Sequence, residues 1–155
     1  MSVQNVKEYL SQFGFDLRVR ELELSSATVE LAATALGTAP ERIAKSISLH
    51  DNAGGCLIVV CAGDCKIDNQ KFKSFFGFKP KMLSHDDALS MTGHAVGGVC
   101  PFALPDGVSV YLDESLKRFE TVFPAAGSSN SALELSPDEL MLASRAKAFV
   151  DVTKN

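Results

Sequence analysis

Lys45 stands in the run Ile43-Ala-Lys-Ser-Ile-Ser-Leu49. Side chains two apart share one face of a strand, so Lys45 is expected beside Ile43, Ile47 and Leu49. Ala44, Ser46 and Ser48 then take the opposite face. An ammonium among branched apolar residues costs free energy unless its head reaches water or a partner. Two readings follow. Lys45 is a strand-end residue that extends its amine to solvent, or its amine occupies a pocket where it can hold a carbonyl or phosphate oxygen.

A second concentration of unusual residues is Met91-Thr-Gly-His-Ala-Val-Gly-Gly-Val-Cys-Pro-Phe-Ala-Leu-Pro-Asp-Gly107. Its glycines suit positions of positive φ or close approach to the main chain. Val96 and Val99 around Gly97-Gly98 suggest amide N–H groups over an apolar floor, which is how a small acyl group is commonly held. A tight turn between strands would need the same glycines. The run Ala125-Ala-Gly-Ser-Ser-Asn-Ser131 offers donors with little bulk and serves equally as a plain loop or a pocket rim.

Other reactive types say less. His50 and His85 fall in turn-like places and are expected in solvent. His94 lies inside the glycine segment, yet no Ser–His–Asp or Cys–His order surrounds it. Nothing near Cys100 would lower its pKa toward a nucleophile's range. Cys56, Cys61 and Cys65 have gaps that match no common zinc pattern, so they read as small buried hydrophobes, and no metal or cofactor is expected.

The elements that carry these residues follow from periodicity. Val6, Tyr9, Leu10 and Phe13 predict a helix over 3–13 that stops at Gly14. Leu17, Val19 and Glu21 alternate as a strand. A second helix spans 27–36, and Thr38-Ala-Pro-Glu41 reads as a capping box opening a helical turn. Strands at 44–50 and 56–62 flank Asp51-Asn-Ala-Gly-Gly55 as a hairpin. Asp68 caps a helix over 69–76 whose Phe72, Phe75 and Phe76 face inward, and Ser84 opens another that ends at the glycine segment. Strands are expected around 108–112, 121–124, 133–135 and 149–152, with a helix capped by Ser136 and Pro137 before the last. The sum is an α+β fold: a mixed, largely antiparallel twisted, barrel-like sheet surrounded by helices, in one domain over 1–155.

Composition bounds the partners. The 155 residues carry a net charge of −4, 46% hydrophobic residues and 22% charged ones, so any RNA must be gripped by a local patch. No run approaches a membrane span, and Met1-Ser-Val-Gln-Asn-Val-Lys-Glu-Tyr-Leu10 lacks a signal-peptide pattern, so a cytoplasmic location without membrane contact is expected.

Taken jointly, IAKSISL, GHAVGGVCPF and FPAAGSSNSALELSPDEL, in that order, resemble the YbaK/prolyl-tRNA-synthetase editing-domain family of aminoacyl-tRNA deacylases over nearly the whole chain. The resemblance implies that Lys45 matches the family's strand lysine and serves as the catalytic residue. It places Gly93, Gly97, Gly98, Pro101 and Phe102 on the family's glycine loop, with Gly127, Ser128, Ser129 and Asn130 on its second turn. His94 and Val99 complete the expected substrate-binding set. The implied activity is hydrolysis, without metal or cofactor, of the ester joining a small wrong amino acid (Ala, Ser, Thr or Cys class) to tRNA, with tRNA(Pro) among the candidates. The chain resembles the free-standing, trans-acting members, whose partners are the acceptor end of a mischarged tRNA and a synthetase. A non-catalytic binding module of the same fold, acting as a synthetase partner or regulator, is the alternative. Ala103 replaces a glycine common in relatives. Ser128, Ser129 and Asn130 replace the basic residues of cysteine-specific members, so the resemblance leaves the amino acid open.

Overall fold

A computed structural model describes residues 2–155. The helix α1 (Ser2–Ser11) turns Val6 and Leu10 inward, and both are fully buried. It ends two residues before the expected limit, in a turn that brings the chain round to Gly14. A single 3-10 turn at Asp16–Arg18 then replaces most of the expected strand, leaving Leu17 93% exposed and only β1 (Arg20–Glu21) extended. The alternation of Leu17 and Val19 therefore had no sheet face behind it.

Thr28 caps α2 (Val29–Leu36), and left-handed Gly37 ends it. The expected box at Thr38 does not form. Pro40 takes the first helical position of a three-residue turn, Ala39 becomes the capping residue, and the Thr38 hydroxyl is buried without a partner. The chain then enters β2 (Ile43–His50) and β3 (Cys56–Ala62), paired antiparallel with Lys45 opposite Cys61. After β4 (Lys66–Ile67) come α3 (Asn69–Phe76) and α4 (His85–Thr92), capped by Asp68 and Ser84 as expected. Phe72 of α3 is buried, but Phe75 is 53% exposed, because an eight-residue helix presents only one narrow stripe to the sheet.

β5 (Ser109–Asp113), β6 (Phe123–Pro124) and β7 (Ser131–Ala132) precede α5 (Pro137–Ser144), whose Ser136 and Glu139 form the expected capping box. β8 (Phe149–Val150) and β9 (Thr153–Lys154) close the chain. The central sheet is mixed and ordered β6-β2-β3-β5-β8. Its longest ladder is antiparallel, whereas the three shorter ladders are parallel, and its two edge strands do not bond to one another. β3 is buried along its whole length, which explains its unbroken apolar run. On one face Ala44, Ile58, Val60 and Leu112 meet α1, α5 and Phe102. On the other, Leu49, Leu57 and Val59 meet Phe72 of α3, with Val150 and Val152.

Candidate functional site

The site starts from a break in the edge of β2. Toward one end, β6 bonds to β2 only at Ile43 and Ala44. Toward the other, Leu83 N–H donates to the Ser48 carbonyl at 3.1 Å and His50 N–H donates to the Lys81 carbonyl at 2.9 Å. By alternation the main-chain groups of Ser46 point to the same edge, between these two neighbours and bonded to neither. A cavity of about 390 Å³ opens there. Because it opens at a strand edge, side chains from both faces of β2 reach it: Lys45 and Ile47 from one, Ser46 and Ser48 from the other.

The two glycine-bearing runs meet at this cavity. A Cβ on Gly98 would lie 2.8 Å from the main chain of Ser128, so the turns touch backbone to backbone. Behind them, a Cβ on Gly127 would lie 2.9 Å from Val6 Cγ2 and 3.0 Å from the Ser2 carbonyl, which locks the second turn onto α1. Ser129 and Asn130 do not line the cavity. The Ser129 carbonyl accepts the Ser26 N–H at 2.6 Å, and the Asn130 amide donates to the Leu22 carbonyl at 3.0 Å. These bonds brace the segment that carries Ser26, Ala27 and Thr28 to the wall.

Of the expected residues, Lys45, Gly97 and Val99 line the cavity directly, while Gly98, Gly127 and Ser128 form the joint behind it. Four other expected residues, Gly93, His94, Pro101 and Phe102, lie outside the cavity lining. Gly93 is the exposed left-handed cap of α4. Pro101 is buried, and Phe102 belongs to the core with its ring 6.4 Å from that of Tyr9. His94 is 2% exposed, and both of its ring nitrogens are engaged. Its Nε2 lies 2.8 Å from the Phe102 carbonyl, an acceptor, and therefore carries the hydrogen. Its Nδ1 then accepts from the Ser2 hydroxyl. Burial pushes the His94 pKa down, consistent with this neutral tautomer. His94 pins the glycine loop to α1 and does not line the cavity.

Sequence reasoning missed other parts of the wall. His85, expected in solvent, is exposed but stands at the cavity rim with Met82 and Val96. Ala132 and the loop before α2 also contribute, while Ala125 and Ser131 lie there as the two ends of the run read as a loop or pocket rim. The alternation of Ser46 and Ser48 with apolar residues was the available signal, but an edge gap depends on strands distant in sequence.

Lys45 is half-buried and, among the described residues, has no carboxylate within salt-bridge distance. The wall carries Lys45, His85, hydroxyls and apolar groups, and no Asp, Glu or Cys. Cys61, opposite Lys45, is pushed up to about 12 by burial. Cys100 is fully buried and also pushed up to about 12, so neither thiol is a ready nucleophile. No cluster of three or more His, Cys, Asp or Glu that could hold a metal ion occurs among the described residues, and no helix is long and apolar enough to cross a membrane.

Comparisons with known proteins agree with this architecture. The chain is 50% identical over 155 residues to YwhH, an uncharacterised protein of Bacillus subtilis (strain 168), covering 100% of this chain and 99% of that protein. It is 29% identical over 104 residues to the proline–tRNA ligase of Pelobacter propionicus (strain DSM 2379 / NBRC 103807 / OttBd1), a match spanning 63% of this chain and 18% of the ligase. A crystal structure described as a candidate trans-editing enzyme for prolyl tRNA synthetase superposes with a TM-score of 0.88 at 27% identity, covering 99% of this chain and 98% of that one. The family model of the aminoacyl-tRNA editing domain matches residues 24–142, a span that takes in Lys45, both glycine-bearing turns and the cavity between them. The chain belongs to the aminoacyl-tRNA editing domain family.

Proposed function

We propose that this protein is a trans-acting deacylase that removes a small mischarged amino acid, of the Ala, Ser, Thr or Cys class, from the acceptor end of tRNA. The observation that carries the reading is the unpaired, half-buried Lys45 on the wall of a cavity built by two mutually packed turns. Val29, Ala32, Ile43 and Phe123 give the cavity an apolar side, and its 390 Å³ has room for an aminoacyl group. A synthetase separates residues differing by one methylene by only about 1–3 kcal/mol, which leaves small errors for a second sieve. The kinship with a proline–tRNA ligase makes tRNA(Pro) the first tRNA to test and its synthetase the first partner.

Hydrolysis of an activated ester asks the site to fix the acyl end and stabilise charge on the carbonyl oxygen. Water adds to the ester carbon, and its electron pair drives charge onto that oxygen, where the Lys45 ammonium and turn N–H groups can receive it. The carbon–oxygen bond to the ribose then breaks. The ribose oxygen takes up the proton that the water releases, giving free amino acid and tRNA. The wall supplies no carboxylate or thiolate for the proton transfer, which leaves the His85 imidazole at the rim, serine hydroxyls and water to relay it.

The test is deacylation of a panel of mischarged tRNAs by the wild type and two variants. Lys45→Ala is expected to lower turnover by about 10²–10³-fold while keeping its fold, and Cys100→Ala to retain activity. Wild-type turnover in Lys45→Ala overturns the assignment. A wild type that binds these tRNAs and hydrolyses none of them favours the non-catalytic module.

A further inference from the structure

The chain is acidic overall, with 15 Lys and Arg against 19 Asp and Glu. Its charge is unevenly distributed. Between Lys66 and Met82 there are five lysines and one carboxylate, Asp68. All five lysines, at 66, 71, 73, 79 and 81, are exposed, and among the described residues only Lys71 has an ion-pair partner, Asp151 at 3.0 Å. Strand pairing adds a sixth: Lys154 of β9 lies directly opposite Lys66 of β4. Like charges directly opposed in an antiparallel pair repel one another, and a bound anion relieves that repulsion.

This basic stretch leads to the mouth of the cavity. The Lys81 carbonyl accepts the His50 N–H, the next residue, Met82, forms an antiparallel bridge with Leu49, and Met82 is part of the cavity rim. A polyanion whose end enters the cavity meets Met82 at the rim, next in the chain to Lys81; Lys79 and, on α3, Lys73 precede it, and Lys66 and Lys154 face one another across β4 and β9.

We infer that the strip formed by Lys81, Lys79 and Lys73, continued by Lys66 and Lys154, is the surface that grips the phosphates of the tRNA acceptor stem. The identity of the polyanion rests on the deacylase reading; the location of the strip does not. Phosphate contacts of this kind position a substrate without reading its sequence. They also let an acidic protein bind RNA, because only the local field must be positive.

The experiment measures binding of an uncharged acceptor-stem minihelix ending in CCA by fluorescence anisotropy across a salt series. The proteins are the full-length wild type, Lys73→Ala/Lys79→Ala/Lys81→Ala, and a control with Lys117→Ala/Lys147→Ala. The wild type and the control are expected to bind alike. The triple variant is expected to bind at least about tenfold more weakly, with a log–log salt slope smaller by about 2–3, since each lost phosphate contact removes close to one unit. In parallel, its KM for aminoacyl-tRNA should rise, while turnover of a short aminoacyl-CCA fragment stays unchanged. Equal affinity and slope in the triple variant overturn the inference and leave an acidic protein surface as the partner of this strip. Absence of salt-dependent minihelix binding by the wild type also overturns it. Binding through the strip without ester hydrolysis leaves the inference standing and defeats the deacylase reading instead.

Discussion

Lys45 and His94 are both partly or wholly withdrawn from water, yet burial acts differently on the two. Lys45 lines the cavity wall and, among the described residues, has no carboxylate within salt-bridge distance. His94 is enclosed by Ser2 and Phe102, and its neutral tautomer satisfies both ring nitrogens. A pKa pushed down by burial means that the unfolded chain takes up a proton before the folded one does. The stability contributed by neutral His94 is therefore full above the unfolded value, about 6.5, and falls as pH drops toward the lower folded value. Urea unfolding between pH 7.5 and 5 should show wild-type stability decreasing by up to about 1.4 kcal/mol per unit in the acid part of that window. His94→Gln should start less stable and depend less on pH, and parallel curves for the two proteins would contradict the tautomer assignment. Carboxylates held low by arginine neighbours, such as Asp64 beside Arg118, lose their contribution only at more acid pH.

At the scale of elements, the joint between the two turns decides whether the cavity exists. Gly98 has no room for a side chain, since a Cβ would sit 2.8 Å from backbone that cannot rotate away. Gly98→Val should cost about 1–3 kcal/mol or more and abolish turnover, because the turns must separate. Gly93→Ala is the contrast. Its φ of +80° carries strain of about 1–2 kcal/mol, but nothing lies within 4 Å, so activity should survive. Thermal melts and deacylation rates for the pair check this, and similar losses of activity in both would show that the contact with Ser128 is not special. Helices bounded by strong local signals were legible: α3 between Asp68 and Gly77, and α4 between Ser84 and Gly93, lie where their caps put them. The two-residue strands β4 and β9 were not read, since so short a stretch has no period and exists only through its partner.

For the whole molecule, α1 has a role that its position in the chain hides. The family match begins at residue 24, yet Ser2 meets both His94 and Gly127, and Val6 and Leu10 fill the main core. Tyr9 adds a bond from its hydroxyl to the Ala143 carbonyl at 2.5 Å. A variant lacking residues 2–14 should lose its cooperative urea transition and its turnover together, because the missing helix supports both turns and the sheet beneath them. Retention of a sharp transition with full activity would mean that the turns stand without it.

The amino-acid order alone determined which segments become helices and long strands, because caps, glycine stops and hydrophobic periods act over a few residues. It also marked Lys45 and the two glycine-bearing runs as the places where chemistry could sit. Only the tertiary structure decided which of those residues face the cavity. The gap beside Ser46 exists because β6 ends early and the 81–83 segment arrives late on the same edge. His94 and Phe102 turned inward because the fold offered them a carbonyl, a hydroxyl and a core. Whether a side chain meets a ligand or its own protein depends on neighbours brought from far along the chain, and no local pattern encodes their arrival.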